Sequence, residues 1–216
     1  MAIVVGLTGP IGSGKGIVAD YLKEKGFEYF SLSDIVREEA RKKGIAIERN
    51  SLQDLGNKLR AEGGDGVLAE RTVKKLSGRN TVIDSIRNPG EVLVLRKIPG
   101  FKLIAVDADV KRRFERVKAR SRESDPISYE QFLKIEGRDL GKNEPLSGQQ
   151  VKKCVEMADI KIVNDFDSVE EFRKEIEKVF DKMNTIHDLT SLRGLVKFKK
   201  TTQEIKDELR KGWDTG

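Results

Sequence analysis

The string Gly9-Pro10-Ile11-Gly12-Ser13-Gly14-Lys15-Gly16 constrains this chain more than any other segment. It follows the apolar run Ala2-Ile3-Val4-Val5-Gly6-Leu7 and precedes Ile17, Val18, Tyr21 and Leu22 at helical spacing. A strand, a Gly-rich turn and a helix, in that order, are the setting that a G-x-x-x-x-G-K phosphate-binding loop requires. Successive backbone N–H groups of such a turn converge on phosphate oxygens, and the positive end of the following helix favours the anion. Glycine alone combines positive φ angles with close backbone approach. Gly9, Gly12, Ser13, Gly14, Lys15 and Gly16 are therefore the expected phosphate-binding residues, with Lys15 a mobile point charge for the outer phosphates. Gly16 stands where the pattern usually carries the Ser or Thr hydroxyl that ligates Mg²⁺. Two consequences stay open: a metal held through water and substrate phosphates, or slowed catalysis.

Beyond the loop, apolar runs and amphipathic segments alternate, which predicts a parallel sheet with helices on both faces. Strands are expected at 3–8, 27–32, 81–83, 102–106 and 160–163. Helices are expected at 15–25, from Ser33 or Asp34 to 43, and at 50–60, 67–76, 91–97, 109–120, 129–139, 148–157 and 169–183. The fold class is thus α/β: a P-loop NTPase with a five-stranded parallel sheet, a short lid and a C-terminal appendage. Residues 1–183 form the expected nucleotide kinase-like domain. Residues 184–216 form a tail with a short charged helix capped by Thr202. That tail reads either as a helix docked through Trp213 or as a partner-binding arm.

Composition narrows the class. A net charge of +6 favours anionic ligands, and nucleotide phosphates satisfy that preference as well as nucleic acid does. No stretch approaches the roughly 20 apolar residues of a membrane span. The N-terminal apolar run breaks at Gly9-Pro10 without a basic leader, unlike a signal peptide. The single cysteine, Cys154, excludes an internal disulfide, reads as a core residue and suits a reducing cytoplasm. One histidine, His187, leaves no zinc cluster and no hydrolase triad to propose.

The candidates for chemistry lie after the strands, where parallel sheets bind ligands. Asp84 ends a buried run and reads as the acid that holds Mg²⁺ through water, or else as a turn residue. Arg87 follows, placed to clamp an acceptor phosphate. Asp34 and Arg37 form a similar acceptor-side group, although Asp34 reads equally as a helix cap. Between Lys111 and Arg122, seven of twelve residues are basic, and Arg112, Arg116 and Arg120 recur every four positions. Phe114 and Val117 occupy the opposite face, so one side packs and the other presents guanidinium groups. Such a stripe can neutralise the charge that spreads over a phosphoryl group in transfer, and Arg138 could join it.

Gly9–Gly16, Ser31-Leu32-Ser33-Asp34-Ile35-Val36-Arg37-Glu38-Glu39, Asp84-Ser85-Ile86-Arg87, the segment 113–125, Arg138-Asp139 and 158–165 form one combination. In this combination the chain resembles an archaeal family of NTP-binding proteins related to adenylate kinase and dephospho-CoA kinase. Phage deoxynucleoside monophosphate kinases carry a similar Asp-x-Arg segment and closing Asn-Asp stretch. The resemblance covers about residues 1–182, and Gly directly after the loop lysine is usual in that group. It implies phosphate binding by Gly12, Gly14, Lys15 and Gly16, acceptor contacts by Asp34 and Arg87, and lid roles for Arg116, Arg120 and Arg122. Ile17 departs from the Thr expected there, and the lid is short.

Together these readings predict an ATP- and Mg²⁺-dependent transfer of a phosphoryl group to a nucleoside monophosphate or similar phosphorylated acceptor. The alternative is a nucleotide-dependent switch with slow ATPase activity, using the tail to bind RNA or a protein.

Overall fold

The computed structural model describes residues 2–120 and 128–185. Arg122, His187, Thr202, Trp213 and the tail from residue 186 on lie outside the described residues. The chain divides into two compact units, residues 1–178 and 179–216.

Five strands form one sheet: β1 (Val4–Thr8), β2 (Glu28–Ser31), β3 (Thr81–Asp84), β4 (Phe101–Asp107) and β5 (Ile160–Val163). Their order is β2-β3-β1-β4-β5, and every pairing is parallel. Parallel neighbours need crossovers, and helices supply them: α1 (Lys15–Glu24), α2 (Leu32–Lys42), α3 (Arg49–Gly63), α4 (Val67–Val73), α5 (Pro89–Leu95), α6 (Val110–Arg120), α7 (Tyr129–Leu140), α8 (Val151–Glu156) and α9 (Val169–Thr185).

Strand residues alternate between faces. Val4, Ile83, Phe101 and Leu103 point to one side, in a core built with α2–α5 and Cys154 of α8. Val5, Leu7, Val82, Ile104 and Val106, on the other face, are just as buried. Sheets covered on both faces read as continuous apolar runs, as β1 does. Burial pushes the Cys154 thiol pKa up, and Glu91 adds to the shift. A smaller cluster of Ile11, Val117 and Phe132, with Phe114 packed on it, joins α6 and α7 to the Gly-rich loop.

Several helix starts differ from expectation by one to three residues: α3 begins at Arg49, α5 at Pro89 and α6 at Val110, and two starts show why. Helix α2 starts directly where β2 ends, so Ser31, not Ser33 or Asp34, occupies its N-cap position; its hydroxyl makes no bond to the helix and donates instead to Ser85 Oγ at 3.1 Å. The helix expected from residue 148 begins at Val151. Before it, Asn88 Nδ2 donates to the carbonyls of Leu146 and Gly148, and Arg87 O accepts from Gln150 N, which pins a turn at 146–148 in place of the first helical turn. Asn88 also caps α5 in a capping box with Glu91.

Glu91 is fully buried. One carboxylate oxygen accepts from the backbone N–H groups of Arg87 and Asn88, and the other pairs with buried Arg60 at 2.8 Å. Removing one member of such a pair strands a charge in a dry interior. Glu91→Ala is expected to destabilise the protein by about 3–5 kcal/mol in urea unfolding. A loss below about 1 kcal/mol would show that Arg60 finds another partner.

Candidate functional site

All five strands deliver their carboxyl ends to one edge of the sheet, where a cavity of about 980 Å³ opens. Its floor is the Gly-rich loop. Gly9, Gly12 and Gly14 have φ angles of 137°, 77° and 105°. A Cβ on Gly9 would lie 2.0 Å from Val106 O, and one on Gly14 2.3 Å from Asn164 Nδ2. Only glycine fits either place. Asn164, buried after β5, donates from Nδ2 to Ser13 O at 2.9 Å and so ties the loop to the far edge of the sheet. No side chain caps the start of α1, which leaves its first-turn N–H groups without a side-chain acceptor beside the cavity.

Lys15 folds back onto the loop. Its Nζ donates to Gly9 O at 2.7 Å, Pro10 O at 2.8 Å and Ser13 Oγ at 3.4 Å. Burial lowers its pKa to about 8; Asp84 opposes that shift and Arg87 adds to it. Above the loop, Arg116 donates from Nη2 to the carbonyls of Asn164 and Phe166 at 2.9 and 3.0 Å. Its Nη1 is buried beside the cavity without a partner. Burial, and then Arg112, hold the Arg116 pKa below its usual value. Arg120 also lines the cavity.

Beside the loop, on the strand next to β1, Asp84 ends β3. Its Oδ2 accepts from Tyr29 OH at 3.3 Å and its Oδ1 from Ser85 N at 2.6 Å. Ser85 adopts φ 64°, a costly conformation for a residue with a side chain, and this turn aims Asp84 along the cavity edge. Burial, followed by Asp84, raises the Tyr29 pKa to about 12.

The remaining wall comes from α3 and α7. Asp139, buried on α7, receives Arg49 at Oδ2, and Gln53 Nε2 at 2.5 Å and Arg87 Nη1 at 3.4 Å at Oδ1. Arg87 Nη1 also donates to Gln149 Oε1 at 3.0 Å. Arg49 Nε and Gln53 Oε1 are buried in this wall without partners. Burial lowers the Arg49 pKa, Asp139 counters that, and Arg87 adds to the lowering.

Of the residues expected from the sequence, Gly9, Gly12, Ser13, Gly14, Lys15, Gly16, Arg37, Asp84, Arg87, Arg116 and Arg120 line this one cavity. Asp34 and Arg138 are not among its described lining. Asp34 sits in the first turn of α2 with its carboxylate on Arg37 at 2.8 Å. Arg138 turns away to Asp54 and Glu144, both at 2.7 Å. Arg112 likewise pairs with Asp167 at 2.6 Å. Arg49 and Gln53 were not singled out from the sequence, and Asp139 entered only beside Arg138 in the family resemblance, without a role. The signal for the first two is polar residues at 49, 53 and 57, one helical repeat apart, beside the apolar positions 52, 55 and 59.

Phosphate chemistry suits this arrangement: a glycine loop, a lysine, and guanidinium groups with unmet donors. Carboxylates suited to a metal are sparse. Among the described residues no group of three or more His, Cys, Asp or Glu could hold an ion. The donor set fits Mg²⁺ that keeps most of its waters, with Asp84 the available carboxylate.

A parallel sheet with a glycine loop after its first strand defines a P-loop kinase-like fold. Residues 5–141 match the AAA domain family. The shikimate kinase from Bacteroides thetaiotaomicron shares the fold with a TM-score of 0.55 at 12% identity, covering 84% of this chain and 98% of that one. The chain belongs to the UPF0200 family. UPF0200 proteins of Hyperthermus butylicus and Pyrococcus abyssi are 32% and 34% identical to it, over 84% of this chain and 95% and 97% of theirs. No helix among the described residues is long and apolar enough to cross a membrane.

The low pKa of Lys15 has a definite sign in stability. A lysine whose folded pKa lies below its unfolded value of 10.5 loses its proton first in the folded state. The unfolded chain then binds more protons, so stability from this group rises as pH climbs from about 8 to 10.5. In denaturant titrations of the ligand-free protein, wild type is expected to gain on Lys15→Met across that window. Parallel curves would assign Lys15 an ordinary pKa.

Proposed function

We propose that this protein transfers the γ-phosphoryl group of ATP, with Mg²⁺, to a nucleoside monophosphate or similar small phosphorylated acceptor. The observation that carries the reading is that one cavity is lined both by Lys15 with Arg116 and by Arg49 with Arg87, two cationic groups suited to two phosphates. Phosphoryl transfer asks little covalent chemistry of a protein; it asks for two anions in line and charges placed around them.

In this reading the loop amides and Lys15 bind the triphosphate, and Lys15 exchanges its loop carbonyls for phosphate oxygens. The unpartnered Arg116 Nη1 gains an acceptor as negative charge builds on the transferred group. Arg87 and Arg49 hold the acceptor anion, with Arg37 at the rim. Mg²⁺, when bound, neutralises charge on the phosphates; Asp84 would hold one of its waters, so the missing hydroxyl at Gly16 is compensated from β3. That the acceptor is a nucleoside monophosphate rests on the motif resemblance to nucleotide kinases. The fold shared with a shikimate kinase leaves other small acceptors for the same assay to sort.

ADP production should depend on one acceptor in a coupled assay across nucleoside and deoxynucleoside monophosphates, dephospho-CoA and shikimate. No acceptor-dependent ADP with ATP binding intact would sink the proposal and favour a slow ATPase switch. Lys15→Ala is expected to lower kcat about 10²–10³-fold, the usual loss for one charge-stabilising donor. Arg87→Ala should act chiefly on acceptor KM, raising it about tenfold or more. Because the triphosphate selects charged Lys15, its affinity should fall above about pH 8, with proton uptake visible by calorimetry in buffers of different ionisation enthalpy.

A further inference from the structure

Helix α7 places two buried carboxylates on one face, Glu136 and Asp139, three residues apart. Each grips a different half of the cavity. Glu136 pairs with buried Arg113 of α6. Arg113 in turn donates from Nη1 to Ile11 O at 3.3 Å and from Nε to Ala108 O at 2.8 Å. The loop also rests on the Arg113 backbone, since a Cβ on Gly12 would lie 2.5 Å from Arg113 O. One turn further along α7, Asp139 holds Arg49, Gln53 and Arg87.

The Asp139 side is satisfied only in part. With Gln53 Nε2 turned to the carboxylate, Gln53 Oε1 is left buried without a donor, and Arg49 Nε is left without an acceptor. Turning the amide over would set its oxygen against the carboxylate, so its orientation is fixed by charge. Buried unmet polar atoms are costly. An anion that takes over Arg49 and Arg87 therefore competes directly with Asp139 for its partners. A helix is stiff over one turn, so a change at Asp139 is carried to Glu136, Arg113 and the loop at Ile11.

We propose that Glu136 and Asp139 are positioning residues that couple occupancy of the phosphate loop to occupancy of the Arg49/Arg87 subsite, with α7 as the strut between them. The inference rests on the donor and acceptor subsites proposed above. Neither carboxylate takes part in the transfer. By linkage the coupling is reciprocal: whatever the loop does to the acceptor subsite, the subsite does to the loop.

A double-mutant cycle on the full chain tests it, using the non-hydrolysable nucleotide AMPPNP with Mg²⁺ and so needing no acceptor. Glu136→Gln and Asp139→Asn keep shape and remove charge. Each is expected to change AMPPNP affinity about 5–10-fold, and the double variant no more than the larger single, because both cut the same strut. Effects that multiply, or single variants that leave affinity unchanged, overturn the proposal. Wild-type protein gives a second measurement that does not depend on any variant folding. AMPPNP should slow amide hydrogen exchange in residues 49–57 as well as 9–16, and slowing confined to the loop also overturns it. Failure of AMPPNP to bind wild type would remove the donor subsite, and this coupling with it. Normal binding and phosphoryl transfer with multiplicative effects would remove the coupling alone.

Discussion

Cations crowd the cavity, and the rest of the structure depends on how that crowding is made tolerable. Lys15, Arg49, Arg60, Arg87, Arg116 and Arg120 all line one space at the sheet edge. A buried charge without a partner costs several kcal/mol or shifts its pKa. The fold answers by setting carboxylates behind the guanidinium groups: Glu91 behind Arg60, and Asp139 behind Arg49 and Arg87. Glu136 does the same for Arg113 beneath the loop. These acids come from α5 and α7, elements that carry no ligand-binding motif of their own. Lys15 is treated differently. Loop carbonyls accept its hydrogen bonds, while burial lowers its pKa to about 8.

This arrangement also explains why helices distant in sequence pack as they do. Helix α3 meets α7 and the loop after it through Arg49–Asp139, Gln53–Asp139, Asp54–Arg138 and Asn57–Glu144. The contact is polar because its inner edge borders the cavity. Its outer pairs are half-exposed and contribute little individually. The Arg138 pairing is one of them, so a residue expected at the acceptor serves to fasten the wall around it.

Much of the fold was legible along the chain. Five apolar runs separated by amphipathic segments gave the five parallel strands, and the glycine loop gave the edge where a ligand would bind. The basic stripe of α6 was legible as a stripe, but its members separate in three dimensions. Arg116 and Arg120 reach the cavity, Arg112 is held by Asp167 at the cavity rim, and Arg113 turns inward under the loop. A four-residue spacing identifies a helix face; it does not say what that face meets. The hydroxyl of Ser31, at the N-cap position of α2, is likewise spent away from its helix, on Ser85 just after β3, fifty-four residues along the chain.

By itself the sequence determined the local chemistry of the loop, because glycine φ angles and a helix start are properties of consecutive residues. It determined the parallel sheet for the same reason: the period of apolar residues is local. Only the tertiary structure decided which arginines share a cavity, that Asp139 and Glu136 stand behind them, and that Arg138 is spent on Asp54. Those outcomes depend on which side chains meet across 20 to 100 residues of chain, and no spacing along the chain encodes such meetings.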